Sequence, residues 1–270
     1  MSQAHPFTLI TGASAGIGAA FARDLAARGH DLVLTARRVE RLDAIANEIR
    51  RQHGRQVTVM PADLADPAAP RALCEALASQ GLAVDWLINN AGYGVPGTFV
   101  ANDWPIHAEF LQVLLTAPTE LVWHLLPGMR ERGYGRIINV ASLAGHVPGT
   151  AAHTLYAASK AYLIKFSQSL ALENQAQGVH VCALCPGFTR SEFHDVTGTR
   201  AMMNKLPDFM WQRAEEVVRQ GIDAIERGEA VHVTGRVNRA IKTMFKLMPD
   251  RLAMKMSARQ SRRYRAQDPV

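Results

Sequence analysis

Thr11-Gly12-Ala13-Ser14-Ala15-Gly16-Ile17-Gly18 directly follows an apolar run, residues 7–10, and opens a segment of helical period, residues 16–28. Glycines between a strand and a helix let the backbone turn tightly and approach a pyrophosphate closely. The helix N-terminus adds N–H groups and a partial positive charge. A purely structural turn is the alternative, but the position between the first strand and the first helix favours a dinucleotide-binding loop. Its predicted contacts are Gly12, Ser14, Ala15, Gly16, Ile17 and Gly18.

The rest of the chain repeats the alternation of short apolar runs with longer segments of helical period. This pattern predicts a doubly wound (Rossmann) α/β fold, a seven-stranded parallel sheet with helices on both faces. Strands are expected at 7–10, 31–35, 57–60, 86–89, 136–141, 179–184 and 230–233. Helices are expected at 16–28, 39–53, 66–80, 103–132, 154–177 and 211–227, each followed by a glycine suited to a C-terminal cap: Gly29, Gly54, Gly81, Gly133, Gly178 and Gly228.

The domain organisation follows from length and charge. With 270 residues, 48% of them hydrophobic, the chain has enough apolar surface for one large core, and no linker divides it. Residues 1–235 are therefore expected to form a single catalytic domain. The net charge of +6 is uneven, because residues 236–265 carry ten Lys or Arg against one acid, Asp250. Residues 236–270 are expected to be a basic, amphipathic helical extension broken near Pro249.

Three interpretations of this extension compete. It could cap the pocket or a subunit interface, lie on an anionic membrane surface, or contact nucleic acid through charge. The first is favoured and peripheral membrane contact stays open. Nucleic-acid binding is not expected, because no recognition motif accompanies the charge.

The N-terminus has no secretion signal, and no apolar run is long enough to span a bilayer, so we expect a soluble, cytoplasmic protein. Of the three cysteines, Cys182 and Cys185 lie three apart in a predicted strand and should point to opposite faces, as core thiols with Cys74. No metal site is predicted, since the ten histidines include no His-x-x-x-His pair with a nearby acid.

The second predicted strand ends in Leu34-Thr35-Ala36-Arg37-Arg38, without an acidic residue. An acid at this place bonds a free ribose 2′-hydroxyl, whereas guanidinium groups bind phosphate. The sequence therefore favours NADP(H) over NAD(H), with Arg37 and Arg38 as phosphate ligands. The alternative is that one or both arginines face water.

Two further segments end predicted strands. Asp63 and Leu64 follow the third strand, and Asn90, Ala91 and Gly92 follow the fourth. Ligands of open α/β sheets bind at the carboxyl ends of the strands, so these residues are further candidate cofactor contacts. Ordinary turn chemistry is the alternative for each. Together with the glycine loop they indicate one crevice.

A candidate acid-base pair lies in the helix after the fifth strand. Tyr156 and Lys160 are four residues apart and project from the same helix face. A nearby ammonium ion stabilises phenolate and should lower the pKa of Tyr156 from its ordinary value near ~10. Ser142, at the end of the fifth strand, is placed to hydrogen-bond the same substrate oxygen. Without the other motifs, a tyrosine and a lysine four residues apart would usually just lie on an exposed helix surface.

In this combination the chain resembles the short-chain dehydrogenase/reductase family from Phe7 to about Val233. The shared motifs are the loop at Thr11 to Gly18, Asn89 to Gly92, Asn139 to Ser142, Tyr156 with Lys160, and Pro186 with Gly187. The resemblance implies that Tyr156 exchanges a proton with the substrate oxygen, that Ser142 orients that oxygen, and that Lys160 binds the nicotinamide ribose and lowers the Tyr156 pKa. It also implies a nicotinamide- and phosphate-holding segment, with Pro186, Gly187, Phe188, Thr189 and Ser191, and a homodimer or homotetramer.

One residue departs from the family pattern. Leu114 occupies the position of an Asn that, in the family, supports a water-linked proton relay to the lysine, partly through main-chain oxygen. Leucine there could slow proton resupply without abolishing hydride transfer. The relay is thus in question, and the three catalytic residues are not.

The substrate side is less defined. Tyr93, His146, His153 and Phe188 flank the catalytic motifs and suggest a largely apolar pocket with one or two polar anchors, although each could equally be packing. Seven of the ten methionines follow residue 200, which suits a hydrophobic substrate, while core filling is their commoner use.

The sequence thus predicts an NADP(H)-dependent oxidoreductase that interconverts a ketone or aldehyde and an alcohol, with a small hydrophobic molecule as substrate. A non-catalytic NADP(H)-binding sensor or scaffold is the alternative, supported by Leu114. A nicotinamide-dependent epimerase or dehydratase is disfavoured, because no distinct substrate domain is present.

Overall fold

The computed structural model describes residues 6–152, 154–190 and 207–265, and for residues 260–265 it describes the backbone alone. The strands are β1 Phe7–Thr11, β2 Asp31–Thr35, β3 Val57–Val59, β4 Val84–Asn89, β5 Gly135–Val140, β6 Val179–Cys185, β7 Phe188–Thr189, β8 Trp211–Gln212 and β9 Val231–Val233. Seven of them form a parallel main sheet in the order β3-β2-β1-β4-β5-β6-β9. The two short strands β7 and β8 pair in parallel with each other. The predicted doubly wound fold is confirmed.

The helices of the sheet layers also follow the sequence pattern closely. They are α1 Gly16–Ala27, α2 Val39–His53, α3 Ala69–Ser79, α4 Trp104–Leu111, α5 Ala117–Glu131, α6 Thr154–Asn174 and α7 Ala214–Glu226. All six glycines predicted as caps have positive φ, between 61° and 94°. Helix α3 begins later than expected because Asp66 accepts the main-chain N–H of Ala68 in a turn, 2.9 Å away. Helix α7 begins after Trp211, because that residue belongs to β8.

Helices cover both faces of the sheet. Helices α1, α2 and α7 pack on one face, where Leu32, Leu34 and Ile138 belong to one buried cluster. Helices α3, α5 and α6 pack on the other, where Val33 and Ile137 belong to a second cluster. Alternate residues of one strand point to opposite faces, so the central strands carry apolar side chains on both faces, interrupted by buried polar residues such as Asn89 and Asn139. Cys182 and Cys185 are free and buried in different clusters, as expected for core thiols.

The segment predicted as one helix, 103–132, contains an irregularity. A π-helical turn, Gln112–Thr116, joins α4 to α5, and Ala117 donates its N–H to the carbonyl of Gln112, five residues back. Pro118 has no N–H to donate to the carbonyl of Leu114. The missing donor is the physical reason that the regular helical pattern is interrupted here, and such turns are frequent at functional sites.

The C-terminal extension consists of α8 Arg236–Leu247 and α9 Asp250–Arg265, separated at Pro249 as predicted. It lies against the catalytic half of the domain. Ser257 donates to the carbonyl of Gly149 over 2.5 Å. Within the described residues, no helix is both long and apolar enough to cross a bilayer. The division into a domain at 1–235 and an extension at 236–270 stays a prediction.

Candidate active site

A hydrogen-bond network holds the glycine loop against the end of β4. Thr11 Oγ1 accepts the main-chain N–H of Asn90 at 2.9 Å and of Ala91 at 3.0 Å. The Asn90 side-chain amide donates back to the carbonyls of Thr11 and Gly12, at 3.0 and 3.2 Å. The loop and the Asn90-Ala91-Gly92 segment therefore form one rigid wall. Thr11 had not been predicted as a site residue, although it lies within the loop motif.

Two of the loop glycines are required by close approach. A Cβ on Gly18 would lie 2.3 Å from the carbonyl oxygen of Gly12 and 2.5 Å from the Asn90 side chain. Gly12 has φ +64°, and a Cβ there would lie 2.9 Å from Ala91. No other residue fits either position without moving the wall.

This loop fits the pyrophosphate of a dinucleotide. The N-terminus of α1 has no side-chain cap and no acidic residue in its first turn, so its N–H groups and positive dipole end are available to an anion. The bare glycine backbone allows close approach, and the contacts predicted for the phosphates, which stay a prediction, all lie in this loop: Gly12, Ser14, Ala15, Gly16, Ile17 and Gly18.

Positive charge lies beside the same loop. The Arg38 guanidinium donates to Ser14 Oγ from Nε at 3.3 Å and from Nη2 at 3.1 Å. Arg37 is exposed and lies close enough to Tyr93 to favour its phenolate electrostatically. Both arginines therefore lie at the crevice, and the contact to Ser14 places Arg38 directly on the loop.

Asp63 and Leu64 take different places. Asp63 is exposed and accepts the N–H of Ala65 at 3.1 Å, so its carboxylate forms a turn beside the crevice. Leu64 is buried in a cluster that also contains Ala91, Tyr93 and Tyr156. That cluster connects the cofactor side of the crevice to the catalytic helix.

The three predicted catalytic residues come together at the end of β5. Ser142 caps a short helical turn, Leu143–His146, by accepting the N–H of Ala144 at 3.1 Å, and a hydrogen bond joins its side chain to Tyr156. Lys160 is buried, and its Nζ donates to the carbonyl of Val140 at 2.8 Å. The same Nζ lies 5.6 Å from the centre of the Tyr156 ring.

The pKa of Tyr156 differs from the expected direction. Burial raises the pKa of Tyr156 to about 12, and the hydrogen bond with Ser142 opposes this rise only in part. Burial also lowers the pKa of Lys160 to about 8, with a small opposing effect of Cys185. The predicted lowering of the Tyr156 pKa is therefore wrong, because desolvation is the largest effect and Lys160 is not among the groups that shift this pKa.

A glycine missed by the sequence analysis permits this arrangement. A Cβ on Gly145 would lie 2.7 Å from the main-chain carbon of Lys160 and 2.8 Å from the nitrogen of Ala161. The turn that carries Ser142 thus packs directly on the backbone of α6. Gly145 follows Ser142 by three residues, but nothing in the sequence distinguishes it from an ordinary turn glycine.

The segment after β6 closes the same edge of the sheet. Leu143 donates its N–H to the carbonyl of Pro186 at 2.8 Å, which ties this segment to the Ser142 turn. Gly187 packs on Asn238 of α8, and the Phe188 ring lies 5.9 Å from that of Trp211. Thr189 is buried in β7. Ser191 lies outside the described residues.

An apolar pocket opens beside Tyr156. It is lined by Val95, Gly97, Phe99, His107, Phe110, Thr154, Leu155 and Tyr156. His107 is buried, and its Nε2 lies 2.8 Å from the carbonyl of Phe99. A carbonyl can only accept, so Nε2 carries the proton in the neutral ring and Nδ1, which is buried without a partner, is an acceptor. The sequence analysis did not single out His107.

The predicted substrate residues are not all at this pocket. Tyr93 packs edge-on against Phe110, which lines it, and hydrogen-bonds Glu109 at 3.2 Å. Burial, with Glu109, raises the pKa of Tyr93. His146 does not line the pocket. Burial, with Lys242 and Lys165 nearby, lowers the pKa of His146 to about 4. His153 lies outside the described residues.

Leu114 lies in the π-helical turn and is 1% exposed. Its Cγ would be 3.6 Å from a Cβ on Gly92, and it shares a buried cluster with Leu155 and Tyr156. An apolar contact thus replaces the amide that the family pattern expects. Leucine in place of asparagine leaves the main-chain carbonyl of residue 114 unchanged. In a regular α-helix this carbonyl would accept the N–H of residue 118, but Pro118 has no N–H.

Comparison with known proteins agrees with this geometry. The family model described as short chain dehydrogenase matches residues 6–201. Nodulation protein G of Rhizobium meliloti (strain 1021) is 40% identical over 234 residues, 84% of this chain and 92% of that protein. A short-chain dehydrogenase from Sphingobium yanoikuyae in complex with NADPH is 33% identical with a TM-score of 0.79, over 90% of this chain and 96% of that one. The bulky-bulky ketone specific alcohol dehydrogenase from Comamonas testosteroni is 30% identical with a TM-score of 0.75, over 90% of this chain and 95% of that one.

The close packing at Gly145 can be tested directly. Gly145→Ala should separate the Ser142 turn from α6 and reduce kcat for carbonyl reduction at least ~10-fold, since small misplacements of catalytic groups cost rates of this order or more. Gly149→Ala is the matched control, because its Cβ would meet nothing within 4 Å and the backbone needs no positive φ. Steady-state kinetics that show equal activity for the two variants would contradict the packing argument.

Proposed function

The chain belongs to the short-chain dehydrogenase/reductase family, and from that membership we propose that it is an NADP(H)-dependent reductase of apolar ketones or aldehydes that uses Tyr156 as general acid. Members of this family interconvert carbonyl compounds and alcohols with NAD(P) as cofactor. The observation that carries the finer proposal is the hydrogen-bonded pair of Ser142 and Tyr156 beside an apolar pocket, with Lys160 behind the phenol.

The preference for NADP(H) is supported by charge at the crevice. Arg38 lies on the glycine loop through Ser14, and Arg37 is exposed beside it. Neither the end of β2 nor the start of α2 before Glu40 offers a carboxylate to a ribose 2′-hydroxyl. A 2′-phosphate would gain charge-assisted hydrogen bonds from these guanidinium groups. The NADPH-bound relative from Sphingobium yanoikuyae is consistent with this preference.

The chemistry divides between cofactor and protein. Bound NADPH supplies a hydride to the carbonyl carbon. Ser142 and Tyr156 would hold the carbonyl oxygen by hydrogen bonds before the transfer, and Tyr156 would donate its proton as negative charge develops there. Because the pKa of Tyr156 is raised to about 12, the phenol carries that proton at neutral pH, which suits reduction. Lys160, with a pKa of about 8, is mainly an ammonium at neutral pH and stabilises the phenolate that remains.

An apolar substrate is supported by the pocket. Four of its eight lining residues are apolar and large: Val95, Phe99, Phe110 and Leu155. His107 Nδ1 is the buried acceptor among them, so a hydroxyl or N–H group on the substrate would satisfy it. A ketone with one such donor matches the chemistry of this lining, and the relative from Comamonas testosteroni is named for bulky ketones.

Self-association through α5 and α6 belongs to the same proposal. Trp123 and Tyr162 are exposed large side chains on these helices, and Tyr162 stacks on Phe166 and hydrogen-bonds Thr119 of α5 at 2.9 Å. A second copy that presented the same face would bury this aromatic surface in a closed, symmetric dimer or tetramer.

A non-catalytic sensor is not favoured, although Leu114 departs from the family pattern. In the family, the proton relay runs partly through a main-chain oxygen at this position. Leu114 keeps that carbonyl oxygen, and Pro118 has no N–H to donate to it. We propose that water reaches Lys160 through this carbonyl. Proton resupply then does not require an amide side chain at residue 114.

Replacing the general acid should separate catalysis from cofactor binding. Tyr156→Phe should lower kcat for NADPH-dependent reduction by a factor on the order of 10² to 10⁴, because the proton donor is lost. The NADPH Kd, measured by fluorescence, should change less than ~3-fold. Tyr134→Phe is the control, since Tyr134 precedes β5 at the other edge of the sheet. Full activity of Tyr156→Phe would refute the assignment, and loss of activity with both variants would indicate general destabilisation.

The pH dependence of kcat/KM should reflect the ionisation of Lys160. Its pKa is lowered to about 8, so the ammonium is present below that pH and lost above it. The kcat/KM for reduction should therefore be constant from pH 6 to about 7.5 and fall about tenfold per unit well above pH 8. A profile that stayed constant through pH 10 would show that the charge of Lys160 does not contribute.

Cofactor preference should depend on the two arginines. Arg37→Ala and Arg38→Ala should each raise the KM for NADPH about 10- to 100-fold, the equivalent of one charge-assisted hydrogen bond, and change the KM for NADH little. Arg51→Ala, in the last turn of α2, is the charge-matched control. Equal losses with NADH and NADPH would contradict recognition of the 2′-phosphate.

A further inference from the structure

We propose that the C-terminal extension, 236–265, docks the protein on the surface of a membrane that carries anionic lipids. The proposal goes beyond the reductase function and does not depend on it. Its basis is a surface of exposed apolar side chains set among cations, here called the docking surface: Val237, Met244, Leu247, Leu252, Met254 and Met256, with Arg236, Arg239, Lys246, Arg251, Lys255 and Arg259.

Helix α8 half-buries Ile241 and Phe245 and leaves its other large apolar side chains exposed. Its one buried side chain is polar, Asn238. The apolar Val237, Met244 and Leu247 are 38%, 43% and 78% exposed. Residues three and seven apart share a helix face, so these three form an apolar stripe that the protein does not cover.

Helix α9 extends this surface beyond Pro249, with Leu252 and Met256 on one side of the row formed by Arg251, Lys255 and Arg259, and Met254 on the other side of that row. The side chains that it buries among its described residues are small, Ala253 and Ser257. Leu252, Met254 and Met256 are 49%, 55% and 39% exposed. Flexible methionine side chains suit an adaptable apolar contact.

The charge of the docking surface is almost entirely positive. Asp250 is the sole acid in residues 236–265. Among the described residues, no carboxylate lies in an ion pair with a cation of α8 or α9. Each such cation near an anionic leaflet is attracted to it, so several together give substantial attraction.

The combination distinguishes a membrane from other partners. Nucleic acid would satisfy the cations but leave six exposed apolar side chains without a partner. A second copy that used the same face would bring like charges together, since a two-fold contact pairs a patch with itself. A bilayer interface accepts both, because apolar side chains enter the acyl boundary while lysines and arginines meet lipid headgroups.

The docking surface lies next to the catalytic region. Ser257 of α9 donates to Gly149, in the loop between Ser142 and Tyr156, and Asn238 of α8 packs on Gly187. A docked protein would therefore hold this side of the domain near the bilayer. An apolar substrate dissolved in the lipid would then have a short path to the pocket.

Vesicle sedimentation of the full-length protein tests the proposal without any substrate. We expect at least ~10-fold stronger partition onto phosphatidylcholine vesicles with about 30% phosphatidylglycerol than onto phosphatidylcholine alone, weakened by added salt. Leu247→Glu and Met254→Glu should each reduce partition at least ~5-fold. Leu172→Glu, on α6, is the matched control, because Leu172 is exposed and apolar but lies outside the docking surface.

All three substitutions are at exposed positions, so unchanged thermal unfolding and unchanged NADPH-dependent turnover should accompany them. Equal partition onto both vesicle types, or equal partition of all variants, overturns the proposal. It is also overturned if vesicles are not bound while a DNA duplex is, or if Leu247→Glu instead dissociates an oligomer in size-exclusion chromatography.

Discussion

Parallel pairing of β1 with β4 and of β4 with β5 places the carboxyl ends of three strands at one edge of the sheet. Everything chemical in the molecule depends on this constraint. The glycine loop leaves β1, Asn90 leaves β4 and Ser142 leaves β5, so residues distant in sequence share one crevice. Hydrogen bonds then fix the edge: Thr11 binds the Asn90-Ala91 backbone, and the Asn89 side chain donates to that of Asn139 at 2.9 Å.

Close backbone packing and desolvation complete the site. Gly145 lets the Ser142 turn lie on α6, and this contact brings the hydroxyl of Ser142 to Tyr156. The same burial raises the pKa of Tyr156 and lowers that of Lys160. Both shifts favour the neutral form of each group, so the phenol keeps its proton at neutral pH and the Lys160 ammonium is a stronger acid than that of an ordinary lysine. Such a pair is prepared to donate a proton and to stabilise the charge that donation leaves.

The strands, the glycine caps and the crevice were predictable, because they depend on local periodicity and on motifs with a fixed order along the chain. The π-helical turn at Gln112–Thr116, the β7–β8 pair and the contact at Gly145 depend on tertiary contacts and were missed. The direction of the Tyr156 pKa was predicted wrongly, since spacing on a helix shows which charge is near but not how deeply both groups are buried. His107 was missed for the same reason: its unpartnered nitrogen is visible only in the folded protein.

The central claim is that a dinucleotide in the glycine-loop crevice and the Ser142–Tyr156 pair act on the same substrate carbonyl group. The most direct measurement is the fate of deuterium carried at C4 of NADPH during turnover of a bulky ketone, followed by NMR of the product. The account predicts that deuterium from one face of the nicotinamide is recovered on the carbinol carbon, with a primary isotope effect on kcat/KM. Consumption of labelled NADPH without deuterium on that carbon would contradict it.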